Sequence, residues 1–475
     1  MSDELAWLDA TAQADLVRTG SVSPAELVEA AISRIDALDG DINAVIHRRF
    51  DLARAEVVAG LPDGPFRGVP FLVKDLYADA AGDPAHHGNR ALRDVDNRPA
   101  ADSWLVARYR QAGFVTLGRT NTPEFGLVPT TEPLSHGATH NPWDLDHTPG
   151  GSSGGSAAAV SAGMVAVAHA SDGGGSIRIP ASMCGCVGLK VSRGRMTAGP
   201  QGDESGLSVA HVITRSVRDT AAVLDATRGP GPGDMVTAPP PQRPYVDEVG
   251  APPGRLRIGL LAANPLGTLH PDCASAVRDA AALLESLGHH VEETHPAVLD
   301  DQSMFANFFA RWCTNARLAI INTGALVGRE LSADDVEAPT WAMAEMGRAF
   351  TAVDLASALA ASARFTRSMG AWWADGWDLL LTPTLGQPPP RLGDLAPLPD
   401  NPLAGQAKAA ALVPFTTHFN ITGQPAISLP LSWNAQGLPI GVQLAAAYGR
   451  EDVLLRVAAQ LEEAAPWAAR RPTCG

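Results

Sequence analysis

Two glycine loops and one lysine carry the residue types that could do chemistry in this chain. The first loop is Pro149-Gly150-Gly151-Ser152-Ser153-Gly154-Gly155-Ser156, and the second is Asp172-Gly173-Gly174-Gly175-Ser176-Ile177-Arg178-Ile179-Pro180. A phosphate loop ends in Gly-Lys-Ser/Thr, and a dinucleotide loop reads G-x-G-x-x-G between a strand and a helix. Neither pattern is present, which argues against nucleotide binding. Gly150-x-Ser152-x-Gly154 matches the G-x-S-x-G nucleophile elbow, but that motif needs a strand directly before it. His140 to Pro149 is polar and carries Pro142 and Pro149, so no strand feeds Ser152. The second loop instead follows a short apolar run, Met164 to Ala170, and ends on a serine. Glycines lack Cβ, so consecutive N–H groups can converge on one point and bind an oxyanion. Gly173, Gly174 and Gly175 have that freedom around a tetrahedral intermediate on Ser176. A purely structural turn is the alternative reading of the same residues.

The run GVPFLVKD, residues 68 to 75, ends in the charged pair Lys74-Asp75, which puts Lys74 at the end of what reads as a buried strand. A lysine in that position is most simply a solvated edge residue. If buried, it loses proton affinity, because low dielectric disfavours the charged ammonium, and becomes a candidate base.

Lys74, the Gly-Gly-Ser-Ser-Gly-Gly-Ser loop and the Gly-Gly-Ser-Ile-Arg-Ile-Pro-Ala loop together resemble the amidase signature family. The likeness extends to Thr120-Asn121-Thr122-Pro123-Glu124-Phe125, to Asn141-Pro142-Trp143 and to Phe419-Asn420-Ile421-Thr422-Gly423-Gln424-Pro425-Ala426. It implies that Ser176 is the nucleophile, Ser152 a bridging serine after a cis peptide bond, and Lys74 the base. Gly173, Gly174, Gly175 and Ser176 would supply the oxyanion hole, with Ser153, Asp172 and Arg178 bracing the site from behind. A solvated surface pair is the plainer reading of Asp172 and Arg178. Such a relay lets one lysine act first as base and then as acid, without histidine, metal or cofactor.

The resemblance also bears on the substrate. Glutaminase subunits of tRNA-dependent amidotransferases usually carry Thr and Gln where this chain has Gly173 and Ile179. The loop is closer to stand-alone amidases, including cyclic nylon-oligomer hydrolases, aryl acylamidases and urethanases. The expected reaction is hydrolysis of small, mostly uncharged amides, classed as linear amides. A glutaminase subunit and an esterase using Ser152 are the alternatives. The variable helical region shapes the acyl pocket in this family, and Trp312, Cys313 and Trp341 are its candidates here, with core packing as the competing reading. Nothing local pairs Cys313 with a base, so it is a poor nucleophile candidate.

The elements that must position these residues are legible in outline. Ser23-Pro24-Ala25-Glu26 reads as a capping box opening an amphipathic helix. Arg257 to Ala262, a helix from Pro271 to Leu287, and His289 to Thr294 read as a β-α-β unit with parallel strands. Residues 300 to 375 read as helical. Trp377 to Pro383, Pro425 to Pro430 and Leu438 to Ala445 read as strands, the last two joined by a turn at Asn434 to Gly437, and a helix from Glu451 to Ala464 closes the chain. With the resemblance, this predicts one α/β domain over 1–475, a mixed twisted β-sheet covered by helices on both faces. Residues 65–215 would form its catalytic core, 255–375 the variable pocket region, and 376–475 the rest of the sheet and the closing helix.

Composition sets the outer limits. The 475 residues are 45% hydrophobic and 18% charged, ordinary for a globular enzyme. A net charge of −15 opposes binding to a phosphate backbone, so no nucleic-acid partner is expected. Five cysteines, Cys184, Cys186, Cys273, Cys313 and Cys474, show no zinc or disulfide-scaffold spacing. The opening Met1-Ser2-Asp3-Glu4 lacks a basic n-region, and no segment is apolar enough to span a bilayer. A cytoplasmic enzyme, monomer or homodimer, with only a small amide as partner is therefore expected.

Overall fold

The computed structural model describes residues 2–472, so Met1 and Cys474 lie outside the described residues. Its strands are β1 Val45–Arg48, β2 Pro70–Lys74, β3 Val115–Thr120, β4 Val167–Asp172, β5 Val187–Lys190, β6 Val209–Thr214, β7 Arg257–Leu260, β8 His290–Glu292, β9 Leu379–Pro383, β10 Ala426–Trp433 and β11 Pro439–Ala446. All eleven join one mixed sheet in the order β1-β3-β2-β4-β6-β5-β10-β11-β9-β7-β8. The expected β-α-β unit is present, with β7 and β8 parallel across helix Pro271–Ser286. So is the antiparallel β10–β11 hairpin.

Strand alternation divides the apolar residues between the two faces. Phe71 and Val73 of β2, Leu379 and Leu381 of β9, and Val442 and Leu444 of β11 enter one cluster, covered by helices Val217–Thr227, Pro271–Ser286 and Glu451–Ala464. Leu72 and Ala168 point the other way, into a cluster with helices Pro24–Ile42 and Gly154–Ser161. Further along that face, Leu380 and Ala445 pack with Phe365 and Met369 of helix Ala352–Ala374. The sheet is thus buried on both sides within a single α/β domain. Among the described residues no helix is long and apolar enough to cross a membrane.

Helix Pro24–Ile42 starts as expected: the Ser23 hydroxyl accepts from Glu26 N–H at 3.2 Å, and the Glu26 carboxylate accepts from Ser23 N–H at 2.7 Å. One boundary differs. The strand expected over Met164 to Ala170 begins at Val167 and runs on to Asp172. Helix Gly154–Ser161 closes through Gly163, at φ 70°, and Met164 N–H turns back to the Ala159 carbonyl. Those residues complete the turn, and the strand then delivers Asp172 directly to the glycines. Because β2 and β4 run parallel, pairing Phe71 with Val167 and Leu72 with Ala168, their C-terminal ends lie side by side. Open α/β sheets place ligands beyond such ends.

Candidate active site

Lys74 is the last residue of β2 and is fully buried. Its Nζ lies 2.8 Å from Ser152 Oγ and 3.0 Å from Ser171 Oγ. Burial lowers its pKa to about 7, against the opposing pull of Asp172. A large share of the amine is then neutral near pH 7 and can accept a proton.

Ser152 sits in an irregular loop, without a feeding strand, on the far side of a cis Gly151-Ser152 peptide bond. Ser153 faces β4: its hydroxyl donates to the Ser171 carbonyl at 3.3 Å and accepts Ser171 N–H at 3.4 Å. A Cβ on Gly126 would lie 3.0 Å from Ser152 Oγ, which places that hydroxyl just behind Gly126. Gly126 and Ser176 line the same cavity.

The second loop is held from beneath by Asp172. Its carboxylate takes two bonds from Arg178, Nε at 2.9 Å and Nη2 at 3.0 Å, and further bonds from Asn420 Nδ2 at 2.8 Å, Gly175 N–H at 2.7 Å and Ile177 N–H at 3.2 Å. Arg178 completes its fork on Gln443 and on Asn420, each at 2.8 Å. Asp172 and Arg178 are both fully buried, which excludes the solvated-pair reading. Burial alone would raise the Asp172 pKa, but Arg178 holds it at about 2, so the carboxylate stays ionised.

This bracing revises the expected oxyanion hole. Gly175 N–H is committed to Asp172, whereas among the described residues the N–H groups of Gly173, Gly174 and Ser176 have no protein acceptor. Those three are the donors left for an oxyanion. Gly175, at φ 133°, meets both a steric and a conformational barrier to any side chain, since a Cβ would approach Thr416 Oγ1 to 2.5 Å. Ser176 Oγ likewise makes no hydrogen bond among the described residues, so its bond to Ser152 is still open. Such bonds commonly tighten only when substrate binds.

Beyond Ser176 opens a cavity of about 240 Å³ walled by Phe305, Phe308, Phe309 and Trp312 on one side and by Ala409 and Val413 on the other. Among the described residues no charged side chain lines it. Phe308 reaches the second glycine loop itself, since a Cβ on Gly174 would meet its ring at 3.1 Å. Trp312 lines this cavity, but Cys313 and Trp341 do not, and that corrects the sequence expectation. Both belong to the apolar cluster between helices Ser303–Val327 and Ala338–Ala349, where the Cys313 carbonyl backs onto Gly347. Burial also raises the Cys313 thiol to about 12, leaving no thiolate near neutrality.

Residues 26–455 match the family model described as Amidase. The chain belongs to the amidase family. It is 46% identical to 6-aminohexanoate-cyclic-dimer hydrolase of Paenarthrobacter ureafaciens, over 98% of this chain and 96% of the relative. A solved structure of 6-aminohexanoate cyclic dimer hydrolase with substrate superposes with TM-score 0.96 at 45% identity, covering 99% of each chain. A bacterial aryl acylamidase of the amidase signature family follows with TM-score 0.87 at 27% identity, over 97% of each chain. This amidase is therefore a hydrolase that acts on amides.

Four residues of the candidate site escaped the sequence reading. Ser171 is the second oxygen on Lys74, and nothing distinguishes it from any other strand serine. Asn420 and Gln443 hold the Arg178 fork from 242 and 265 residues away. Asn420 lay within a motif noted above, though without a role. Phe308 stands four residues before Trp312, and helical periodicity alone would have paired them.

Proposed function

We propose that this amidase cleaves small, uncharged amides by acyl transfer through Ser176. Ser176 Oγ attacks the carbonyl carbon as its proton passes to Ser152 and the Ser152 proton passes to neutral Lys74. The oxyanion is met by the N–H groups of Gly173, Gly174 and Ser176. On collapse the C–N bond breaks, and the proton returns from Lys74 through Ser152 to the leaving nitrogen. Water then attacks the acyl-enzyme by the same relay, releasing the carboxylic acid and restoring Ser176. The observation that carries this reading is the fully buried Lys74, bonded to Ser152 at 2.8 Å beside an apolar cavity that ends on Ser176.

The cavity also favours one substrate class, a cyclic amide oligomer such as the 6-aminohexanoate cyclic dimer named in the 46% identical relative. The linear dimer carries an ammonium and a carboxylate, and glutamine carries both on one carbon. Burying either against aromatic walls with no charged partner is costly, whereas the cyclic dimer brings only two neutral amides. The same point disfavours the glutaminase reading. An esterase working through Ser152 is disfavoured because that hydroxyl is bonded to Lys74 and sits behind the cavity wall. The test compares kcat/KM of the purified chain on 6-aminohexanoate cyclic dimer, its linear dimer, an anilide, a carbamate, an ester and glutamine. The cyclic dimer is expected to lead; preference for glutamine or for the zwitterionic linear dimer would refute the substrate class.

A further inference from the structure

Three histidines that take no part in this chemistry meet at one edge of the sheet. His47 lies on the edge strand β1, His86 on the loop that continues from Lys74, and His136 on the connection from β3 to the Ser152 loop. One ring nitrogen from each lies within 4.8 Å of the other two. The ring centroids stand 4.5 Å apart for His47–His86, 5.2 Å for His47–His136 and 5.6 Å for His86–His136. His86 Nδ1 is 3.5 Å from His136 Nε2. With zinc–nitrogen bonds of about 2.0–2.1 Å, tetrahedral ligands stand about 3.3 Å apart, so this pair nearly has the separation required. His47 Nε2 is buried with no hydrogen-bond partner among the described residues, which leaves it available as the third donor.

The surroundings fit the same reading. Asp96 Oδ1 stands 3.6 Å from His86 Nε2, while Asp96 Oδ2 accepts from Arg98 Nε at 2.8 Å. A carboxylate behind an imidazole puts the proton on the far nitrogen and aims the other lone pair at a metal. With the His86 proton on Nε2 toward Asp96, the lone pair is on Nδ1, the atom facing His136. The nearby guanidinium groups are engaged elsewhere: Arg119 by Asp75 and the Ala78 carbonyl, Arg93 by Asp94 and the Ser135 carbonyl.

We propose that His47, His86 and His136 form a binding site for a divalent transition-metal ion of the zinc class, with a fourth position open to water. Three imidazoles with a carboxylate behind one of them suit such an ion and not a hard cation, which prefers oxygen. None of the three histidines lines the cavity at Ser176, so the ion would act on structure and not on the reaction. It would clip the edge strand to the two loops that flank the site. His86 N–H donates to the Asp75 carboxylate, next to Lys74, at 3.1 Å, and Asn43 Nδ2 donates to the His136 carbonyl at 2.9 Å.

The test uses untagged protein stripped with EDTA and titrated with ZnCl2 by calorimetry, then with CoCl2 by visible absorption. One equivalent should bind, with the intense d–d bands of tetrahedral cobalt. At 100-fold excess over Kd the Tm should rise by about 3 °C for a chain of this length. His47→Gln and His136→Gln should each weaken binding at least about tenfold, and Asp96→Asn, which keeps every ligand, by about tenfold. The stripped protein should hydrolyse amides as fast as the loaded one. Absence of saturable zinc uptake by the wild type, or unchanged uptake in both histidine variants, would overturn the proposal.

Discussion

Replacing Lys74 with methionine isolates the cost of keeping that amine buried. Its pKa falls from about 10.4 in the unfolded chain to about 7 in the folded one, because burial penalises the charge. Between those values the unfolded chain binds more protons than the folded one, so wild-type stability rises with pH across the window. Below about pH 7 the cost is constant, near 4–5 kcal/mol at about 1.36 kcal/mol per unit; it is gone above about pH 10.4. Lys74→Met has no such group. It does strand the Ser152 and Ser171 hydroxyls, but that loss does not vary with pH. The stability of the wild type relative to Lys74→Met should therefore increase by about 2 kcal/mol between pH 7 and pH 9, read from urea unfolding at both pH values. The same titration governs the reaction: kcat/KM of the wild type should rise with pH through an apparent pKa near 7 as the neutral amine fills. A pH-independent stability difference, or a rate limb centred near the pKa of free lysine, would mean that Lys74 is not the buried neutral base argued above.

Three further outcomes follow from the site geometry. Ser176→Ala and Lys74→Ala should each lose nearly all turnover, with the double variant hardly slower than either, because the groups act as a unit; steady-state kinetics and fluorophosphonate labelling, absent only without Ser176, check this. Arg178→Met leaves the Asp172 carboxylate buried without its fork and should cost about 3–5 kcal/mol of stability in urea, with Asn420→Ala milder. Phe308→Ala removes the ring at the mouth of the nucleophile loop and should raise KM for apolar amides, with kcat falling less and glutamine no better accepted; an unchanged KM would place the acyl group elsewhere.

Chemistry confined to one short segment was legible in the sequence, and chemistry assembled across the sheet was not. Three glycines before Ser176 announce a backbone nest within four residues. Which of the N–H groups stay free is decided by Asp172, whose carboxylate claims Gly175, and no local pattern encodes that choice. Ser171 and Gln443 likewise become site residues only because β4 runs parallel beside β2 and because β11 passes close to Arg178. The pocket candidates show the same boundary at the scale of a single helix. Trp312 and Cys313 are neighbours in sequence, yet a step of about 100° around the helix sends the indole into the cavity and the thiol into the apolar cluster with Ile320, Met343 and Ala344. The family resemblance pointed to the right helical region without giving the phase of its helix. The i,i+4 relation of Phe308 to Trp312 supplies that phase, because two large rings on one stripe must share a surface, and here the surface is the cavity wall beside Ser176.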